Sequence, residues 1–148
     1  MDFELNEEQR MVREMVREFA QKELAPRAAE VDRTEEFPAE NIRKMAELGL
    51  MGLPYPEEYG GGGGDYLSYA IAVEEIARAC GSTALIYAAH VSLGCGPIYY
   101  FGTEAQKRKW LPRLCSGQGL GAFGLTEPEA GSDAGATRTT AVRDGDVY

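Results

Sequence analysis

A run of small and hydroxyl-bearing residues near the end of the chain has the composition of a ligand-binding loop. It extends from Gly119 to Thr140 and contains the sequence FGLTEPEAGSD at positions 123–133. Glycines let the backbone approach a flat or anionic ligand closely, because no Cβ stands in the way. The hydroxyls of Thr126 and Ser132 can donate or accept hydrogen bonds, and successive free N–H groups suit a phosphate or a heterocycle edge.

The same stretch contains a weaker pattern that we interpret as coincidence. The sequence GLGAFG at 119–124 fits the G-x-G-x-x-G fingerprint, with Asp144 placed downstream. That fingerprint binds dinucleotides only between a strand and a helix. Here a charged helix is predicted before it, and Pro128 follows too soon for a helix, so a Rossmann site is excluded.

Other residue types that could do chemistry favour structural roles. His90 is the only histidine and lies on an apolar helix, so we expect a core residue bonded to a backbone carbonyl. A single histidine supports no nucleophilic triad, and no metal-ligand spacing is found. Glu127 and Glu129 flank Pro128 in a predicted turn, where we expect both carboxylates to face water.

Composition predicts a globular chain with an acidic surface. The 148 residues are 44% hydrophobic and 26% charged, which is enough for one ordinary core. The net charge of −9 comes from 15 basic and 24 acidic residues. Because nucleic-acid surfaces need clustered Lys and Arg, this balance argues against nucleic-acid binding.

Cysteine usage and hydropathy indicate a reducing compartment and no membrane span. Cys80, Cys95 and Cys115 form no C-x-x-C pair, and no secretory signal opens the sequence, so we expect a cytoplasmic protein. Residues 81–103 carry no Asp, Glu, Lys or Arg and are long enough to cross a bilayer. The sequence GCGP at 94–97 should break such a helix, which favours two short buried helices instead.

Apolar residues at helical spacing fill most of the chain before residue 117. Asn6, Asp65 and Thr103 are predicted N-caps, and Pro26 predicts a bend or break. In the last helix, Trp110, Leu111 and Leu114 are expected to pack inward. The five glycines at 60–64 lack the Gly-Lys-Ser/Thr ending of a P-loop and predict a flexible loop.

The hydrophobic period changes after a turn at 116–119. Residues 120–126 and 137–143 predict strands, and Asp144-Gly145 predicts a hairpin turn into a return strand at Val147. We therefore expect a mainly α fold. It comprises an orthogonal helical bundle at 1–117, followed at 118–148 by the first strands of a truncated β-barrel domain. A hairpin that stops two residues into its return strand suggests a fragment of a longer protein.

The sequence at 123–133 resembles the flavin-binding signature of the acyl-CoA dehydrogenase family. The segments GLMGLP at 49–54 and EEYGG at 57–61, together with the preceding helices, extend the resemblance over the whole chain. Two features depart from the family pattern. Glu129 stands where the family often has glycine, and the glycine run at 60–64 is longer than usual.

The resemblance implies which residues bind the cofactor, FAD. Six positions are implied to bind it: Phe123, Gly124, Leu125, Thr126, Gly131 and Ser132. Phe123, Leu125 and Thr126 would lie along the flavin ring, with the Thr126 hydroxyl bonded to its pyrimidine edge. Ser132 would lie near the flavin phosphate and the coenzyme A thioester, and is therefore also the implied substrate-binding residue. Residues 90–94 would line the acyl-chain cavity.

The implied activity is FAD-dependent α,β-desaturation of an acyl-CoA thioester to a trans-2-enoyl-CoA, within fatty acid metabolism. The resemblance places the catalytic base in a C-terminal helical domain, so no catalytic residue is assigned here. It also implies an electron-transfer flavoprotein as partner and a homotetramer. We expect this chain alone to be inactive and to bind flavin weakly or not at all. Two alternatives stay open: an acyl-CoA oxidase-type enzyme and a non-catalytic helical interaction module.

Overall fold

The computed structural model describes residues 4–148 and is mainly helical, which confirms that part of the prediction. Seven α-helices are α1 (Glu7–Phe19), α2 (Ala25–Thr34), α3 (Ala39–Glu47), α4 (Tyr66–Ala79), α5 (Gly81–Ala88), α6 (Gly96–Phe101) and α7 (Glu104–Cys115). A first π segment, Ala20–Leu24, joins α1 to α2, and a second, Ala89–Cys95, joins α5 to α6. Short 3₁₀ turns are formed by Leu50–Gly52, Glu57–Tyr59 and Ala134–Ala136.

The three predicted N-caps are all present. The side chain of Asn6 accepts a hydrogen bond from the backbone N–H of Gln9 at 2.8 Å, and Gln9 returns one, which completes a capping box. Asp65 accepts from the N–H of Ser68 at 2.6 Å. Thr103 forms a second capping box at the start of α7. Each cap satisfies an N–H that has no partner inside its helix, which is worth about 1 kcal/mol.

The helix break predicted near Pro97 is wrong, because a π segment takes its place. The chain stays helical from Gly81 to Phe101, and the N–H of Gly96 bonds to the carbonyl of Val91, five residues earlier. The first π segment likewise precedes Pro26. A widened turn shifts the hydrogen-bond register just before each proline, so the ring is accommodated without ending the helix. Across residues 4–148, the structure has no helix with the length and apolar character to span a bilayer.

The core is built around α4, which packs against α1 on one side and α5 on another, and it extends to α3, α7 and the turn at Leu50–Gly52. Twelve large side chains of the described residues are fully buried. Two are polar, Asn41 and His90, and ten are hydrophobic: Val16, Leu24, Met45, Leu50, Met51, Tyr55, Ile76, Tyr87, Val91 and Leu111. An ion pair also links two helices, since Arg17 of α1 donates to both carboxylate oxygens of Glu75 of α4, at 3.0 and 2.6 Å. These hydrogen bonds from Arg17 lower the pKa of the buried Glu75 carboxyl.

Trp110 does not pack inward as predicted. Its side chain is 45% exposed, whereas Leu111 and Cys115 are buried. Leu111 and Cys115 lie four residues apart and so share one helix face, and Trp110 is rotated away from that face by about 100°. Helix α5, which was predicted to be buried, also has a face exposed to solvent, since Leu85 is 71% exposed.

The glycine run at 60–64 is an ordered loop, and the prediction of a flexible loop is wrong. The N–H groups of Gly62, Gly63 and Gly64 donate to the carbonyls of Gly52, Tyr55 and Leu53 at 3.0, 2.9 and 2.9 Å. The contact is tightest at Gly61, where a Cβ would lie 2.1 Å from the carbonyl oxygen of Tyr55, so no side chain fits at that position. The prediction from composition failed because a run of glycines can allow close backbone packing as well as flexibility.

The predicted strands after residue 117 are not confirmed. Within residues 4–148 the only β pairing consists of two isolated bridges, Glu127 with Ala130 and Asp144 with Val147. The second bridge closes the predicted Asp144-Gly145 turn, with Gly145 at φ 60°. A strand is stabilised by a neighbouring strand, and the described residues supply none for 120–126 or 137–143.

Removing the hydroxyl from each of two buried tyrosines should have different effects on the stability of the protein. In the described chain the Tyr87 hydroxyl is buried without a hydrogen-bond partner, whereas the Tyr55 hydroxyl donates to the Val91 carbonyl at 2.6 Å. We expect Tyr55→Phe to lower the free energy of unfolding by about 1 kcal/mol and Tyr87→Phe to leave it unchanged or raise it slightly. Urea unfolding measures both. Equal losses in the two variants would contradict this expectation.

Candidate functional site

The candidate site lies on the segment that leaves α7, and this segment is fixed by a glycine–glycine contact. A Cβ placed on Gly121 would lie 2.6 Å from the Cα of Gly94, and a Cβ on Gly94 would lie 2.6 Å from the Cα of Gly121. No side chain fits at either position without movement of the opposing backbone. The predicted cofactor segment therefore starts directly against the second π segment.

His90 also binds the backbone at this glycine–glycine contact. It is 1% exposed, and its Nδ1 accepts a hydrogen bond from the backbone N–H of Gly121 at 2.9 Å. The ring proton is then carried by Nε2, which lies 3.7 Å from the Sγ of Cys95. The prediction of a core histidine is confirmed, but the Nδ1 partner is a backbone amide and not a carbonyl. No local sequence pattern indicates Gly121 as that partner.

Burial lowers the pKa of His90 below its ordinary value of 6.5. The backbone carbonyls of Leu114 and Met51 act in the opposite direction, because they favour the protonated ring, but their effect is smaller. The net direction favours the neutral imidazole near pH 7. A neutral ring is what the hydrogen bond from Gly121 requires, since Nδ1 must have a free lone pair.

Beyond Gly121 the chain exposes apolar side chains and unpaired backbone together. Phe123 is 50% exposed and Leu125 is 45% exposed. In the part of the chain that the structure describes, the backbone of residues 122–126 makes no hydrogen bond. Exposed apolar surface next to unpaired backbone polar groups is typical of a binding surface, which a ligand or another part of a protein covers.

Glu127 is partly exposed at the surface, as predicted for a turn residue, but its carboxylate is hydrogen-bonded to the backbone and is not free in water. Its two carboxylate oxygens accept the backbone N–H groups of Arg138 and Thr139 at 2.7 and 3.0 Å. These hydrogen bonds to the charged form lower the pKa of the Glu127 carboxyl. Glu129, by contrast, is exposed as predicted. No local sequence pattern indicates these two hydrogen bonds, because the residues that they join are eleven and twelve positions apart.

The remaining predicted site residues have no role in packing within the described chain. A Cβ on Gly124 or Gly131 would meet no heavy atom within 4 Å, and neither glycine has a positive φ. The fold of the described chain therefore does not require glycine at either position. The hydroxyls of Thr126 and Ser132 are exposed, with no hydrogen-bond partner among residues 4–148. All six predicted cofactor-binding residues thus lie on an open surface with free donors and acceptors.

The segment predicted to line an acyl-chain cavity adjoins this surface. Val91 and Gly94 are buried, whereas Ser92 and Leu93 are exposed. The contact between Gly94 and Gly121 places the second π segment beside the start of the cofactor segment. A search of the described residues finds no group of three or more His, Cys, Asp or Glu side chains arranged to hold a metal ion.

Solved structures reproduce this chain over nearly its whole length. Butyryl-CoA dehydrogenase from Megasphaera elsdenii matches with a TM-score of 0.91 and 44% identity, over 99% of this chain and 39% of that one. A chain in a structure described as an electron transferring flavoprotein of Acidaminococcus fermentans gives 0.94 and 51%, over 99% and 38%. An acyl-CoA dehydrogenase complexed with FAD from Bacillus anthracis gives 0.84 and 39%, over 90% and 23%.

Comparisons of sequence agree with the structural ones. "Probable acyl-CoA dehydrogenase YngJ" of Bacillus subtilis is 65% identical over all 148 residues, which make up 39% of its length. The short-chain specific acyl-CoA dehydrogenase of Clostridium acetobutylicum is 56% identical over the same 148 residues, again 39% of its length. The chain thus spans about two fifths of these relatives. The family model for the acyl-CoA dehydrogenase N-terminal domain matches residues 6–118, and the chain belongs to the acyl-CoA dehydrogenase family.

Proposed function

We propose that this chain is part of an FAD-dependent acyl-CoA dehydrogenase that converts an acyl-CoA thioester to a trans-2-enoyl-CoA. The observation that carries the proposal is the open surface at 123–132. It combines half-exposed Phe123 and Leu125, free hydroxyls on Thr126 and Ser132, and unpaired backbone. A helical interaction module without chemistry would not require glycine at Gly124 and Gly131, where a Cβ would meet no heavy atom within 4 Å.

FAD, when bound, supplies a hydride acceptor for the β-carbon of the substrate. The residues of this chain bind and orient. Phe123 and Leu125 offer apolar surface to a flat ring and exclude water from it. The Thr126 hydroxyl would hydrogen-bond to the pyrimidine edge of that ring, and the Ser132 hydroxyl would bind near the phosphate and the thioester. Gly124 and Gly131 keep the backbone slim beside them.

The rest of the proposed enzyme lies outside these residues. We place the boundary between the helical domain and the middle β domain near residue 117, so that 120–126 and 137–143 pair as strands when the whole β domain is present. The catalytic base belongs to a C-terminal helical domain. The complete protein would be a cytoplasmic homotetramer of fatty acid metabolism that passes electrons to an electron-transfer flavoprotein.

The names of two relatives support a short acyl chain as the substrate. A relative specific for short chains and a butyryl-CoA dehydrogenase both match over nearly all of this chain. We therefore expect an acyl chain of about four carbons, lined in part by the second π segment. Titrating the flavin absorbance of the full-length protein with acyl-CoAs of graded length measures that preference. Peroxide formation during turnover would favour the oxidase alternative instead.

Thr126→Val tests the proposed cofactor contact. The substitution keeps the shape and removes the hydroxyl, so we expect flavin affinity of the full-length protein to fall about tenfold, the effect of about 1.4 kcal/mol. Thermal stability of the flavin-free protein should not change, because Thr126 is exposed. Thr140→Val is the matched control, since Thr140 is also exposed but lies outside the signature. A full-length protein that binds no flavin, or equal affinity in the two variants, would contradict the proposal.

A further inference from the structure

We propose that neutral His90 is a positioning residue, which holds the start of the cofactor segment in place through the Gly121 amide and releases it when the ring is protonated. This inference rests on the proposed function, because it concerns the segment proposed to bind FAD. His90 is buried and makes no hydrogen bond to any of the six proposed cofactor residues. It acts on them through the backbone, two residues before Phe123.

The first step of the argument is geometric. The N–H of Gly121 has one acceptor, the Nδ1 of His90 at 2.9 Å. The nearest heavy atoms to a Cβ on Gly121 belong to Gly94, four residues after His90 on the same π segment. The next five residues have no backbone hydrogen bond within the described chain. The amide of Gly121 is therefore the last hydrogen-bonded anchor before the exposed signature residues.

The second step concerns the protonation state of the ring. Protonation puts a hydrogen on Nδ1, so two N–H donors would face each other and the Gly121 bond would be lost. The charge would also be buried, since His90 is 1% exposed. The nearby titratable groups are two thiols and a phenol. Cys95 lies on the same π segment, Cys115 of α7 interacts with Cys95, and the Tyr55 hydroxyl donates to the carbonyl of Val91. No carboxylate among the described residues contributes to the pKa of His90 and could compensate the charge.

The third step gives the direction of the pH effect. Burial lowers the pKa of His90 from 6.5, so the folded protein binds the proton less readily than the unfolded chain does. The stabilisation is therefore complete above pH 6.5 and is lost as the pH falls below that value towards the folded pKa. Release of Gly121 takes place at the lower end of this window. His90 is the one histidine of these 148 residues, so within them the window above the carboxylate range belongs to His90. In the full-length protein, the comparison with His90→Asn isolates its contribution.

The experiment compares His90→Leu with His90→Asn in the full-length protein by hydrogen–deuterium exchange of the peptide covering 119–126. Leucine fills the site without an acceptor, whereas the asparagine oxygen can accept the amide and cannot titrate. At pH 7.5 we expect about tenfold faster exchange and about tenfold weaker flavin binding for His90→Leu. His90→Asn should restore most of both. In the wild type, flavin binding should weaken below pH 6.5, and this dependence should be absent in His90→Asn.

Two results would overturn the inference. One is unchanged exchange at 119–126 in His90→Leu, and the other is a pH dependence that persists in His90→Asn. Hydrogen–deuterium exchange of a peptide from α4 shows whether a variant has lost its fold. If His90→Leu is unfolded, the pH dependence of flavin binding in the wild type and in His90→Asn decides whether the inference holds. The exchange measurement needs no flavin. A protein that binds no FAD would thus refute the proposed function, while the exchange of 119–126 would still decide the role of His90.

Discussion

Gly61→Ala is expected to lower the free energy of unfolding by about 3 kcal/mol, near the upper end of the range for overpacking a core. A Cβ at this position would lie 2.1 Å from the carbonyl oxygen of Tyr55 and 2.5 Å from its carbonyl carbon. The obstacle is backbone, so no side-chain rotation relieves it. Tyr55 is fully buried and donates to the carbonyl of Val91, so a shift of its backbone reaches the second π segment.

Urea unfolding followed by far-ultraviolet circular dichroism measures this loss. Gly131→Ala is the matched control, because its Cβ would meet no heavy atom within 4 Å and its φ is not positive. We expect the control to change the unfolding free energy by no more than about 0.5 kcal/mol, as is usual for open surface positions. A Gly61→Ala protein as stable as the control would show that the loop at 60–64 is not packed as described.

Local sequence rules predicted the parts of this fold that depend on near neighbours. The capping boxes at Asn6 and Thr103 join residues three positions apart, and both are present. The loop at 60–64 depends on the distant backbone of Tyr55, and its composition alone was misread as flexibility. The break expected near Pro97 failed for a related reason. A proline forbids one hydrogen bond, but the sequence does not show whether a π turn will absorb the loss.

The same division applies to the candidate site. The position of the candidate site is a prediction from the small-residue run at 123–133, whose residue types suit a flat, phosphorylated ligand. The hydrogen bonds that hold the candidate site in place could not be predicted from local sequence. His90 and Gly121 are 31 residues apart, and Glu127 and Thr139 are twelve apart. Strands at 120–126 also remain a prediction, because pairing needs a partner that local pattern does not supply. Sequence therefore located the surface, and the structure shows how the helical domain holds it.

Gly94→Ala should have the largest effect on flavin binding of any single methyl group added to the helical domain. Alanine inside a helix ordinarily gains about 1 kcal/mol over glycine. Here the added Cβ would lie 2.6 Å from the Cα and 2.7 Å from the carbonyl carbon of Gly121. Because residues 122–126 are otherwise unanchored in the described chain, the site segment moves more readily than the π segment. We therefore expect displacement of Gly121 and loss of its bond to His90, with flavin affinity about a hundredfold lower, or about 2.7 kcal/mol.

Equilibrium titration of flavin into the full-length protein, alongside its thermal unfolding, separates displacement from loss of fold. The unfolding free energy of Gly94→Ala should change by less than about 1 kcal/mol, because the helix-propensity gain offsets part of the lost packing. Gly81→Ala is the matched helical control, since a Cβ there meets nothing within 4 Å, and its flavin affinity should be that of the wild type. Gly121→Ala perturbs the same contact from the other side, so the double variant should be only slightly worse than either single one. Fully additive losses would mean that the two glycines act independently, and the contact would then not be what positions the segment.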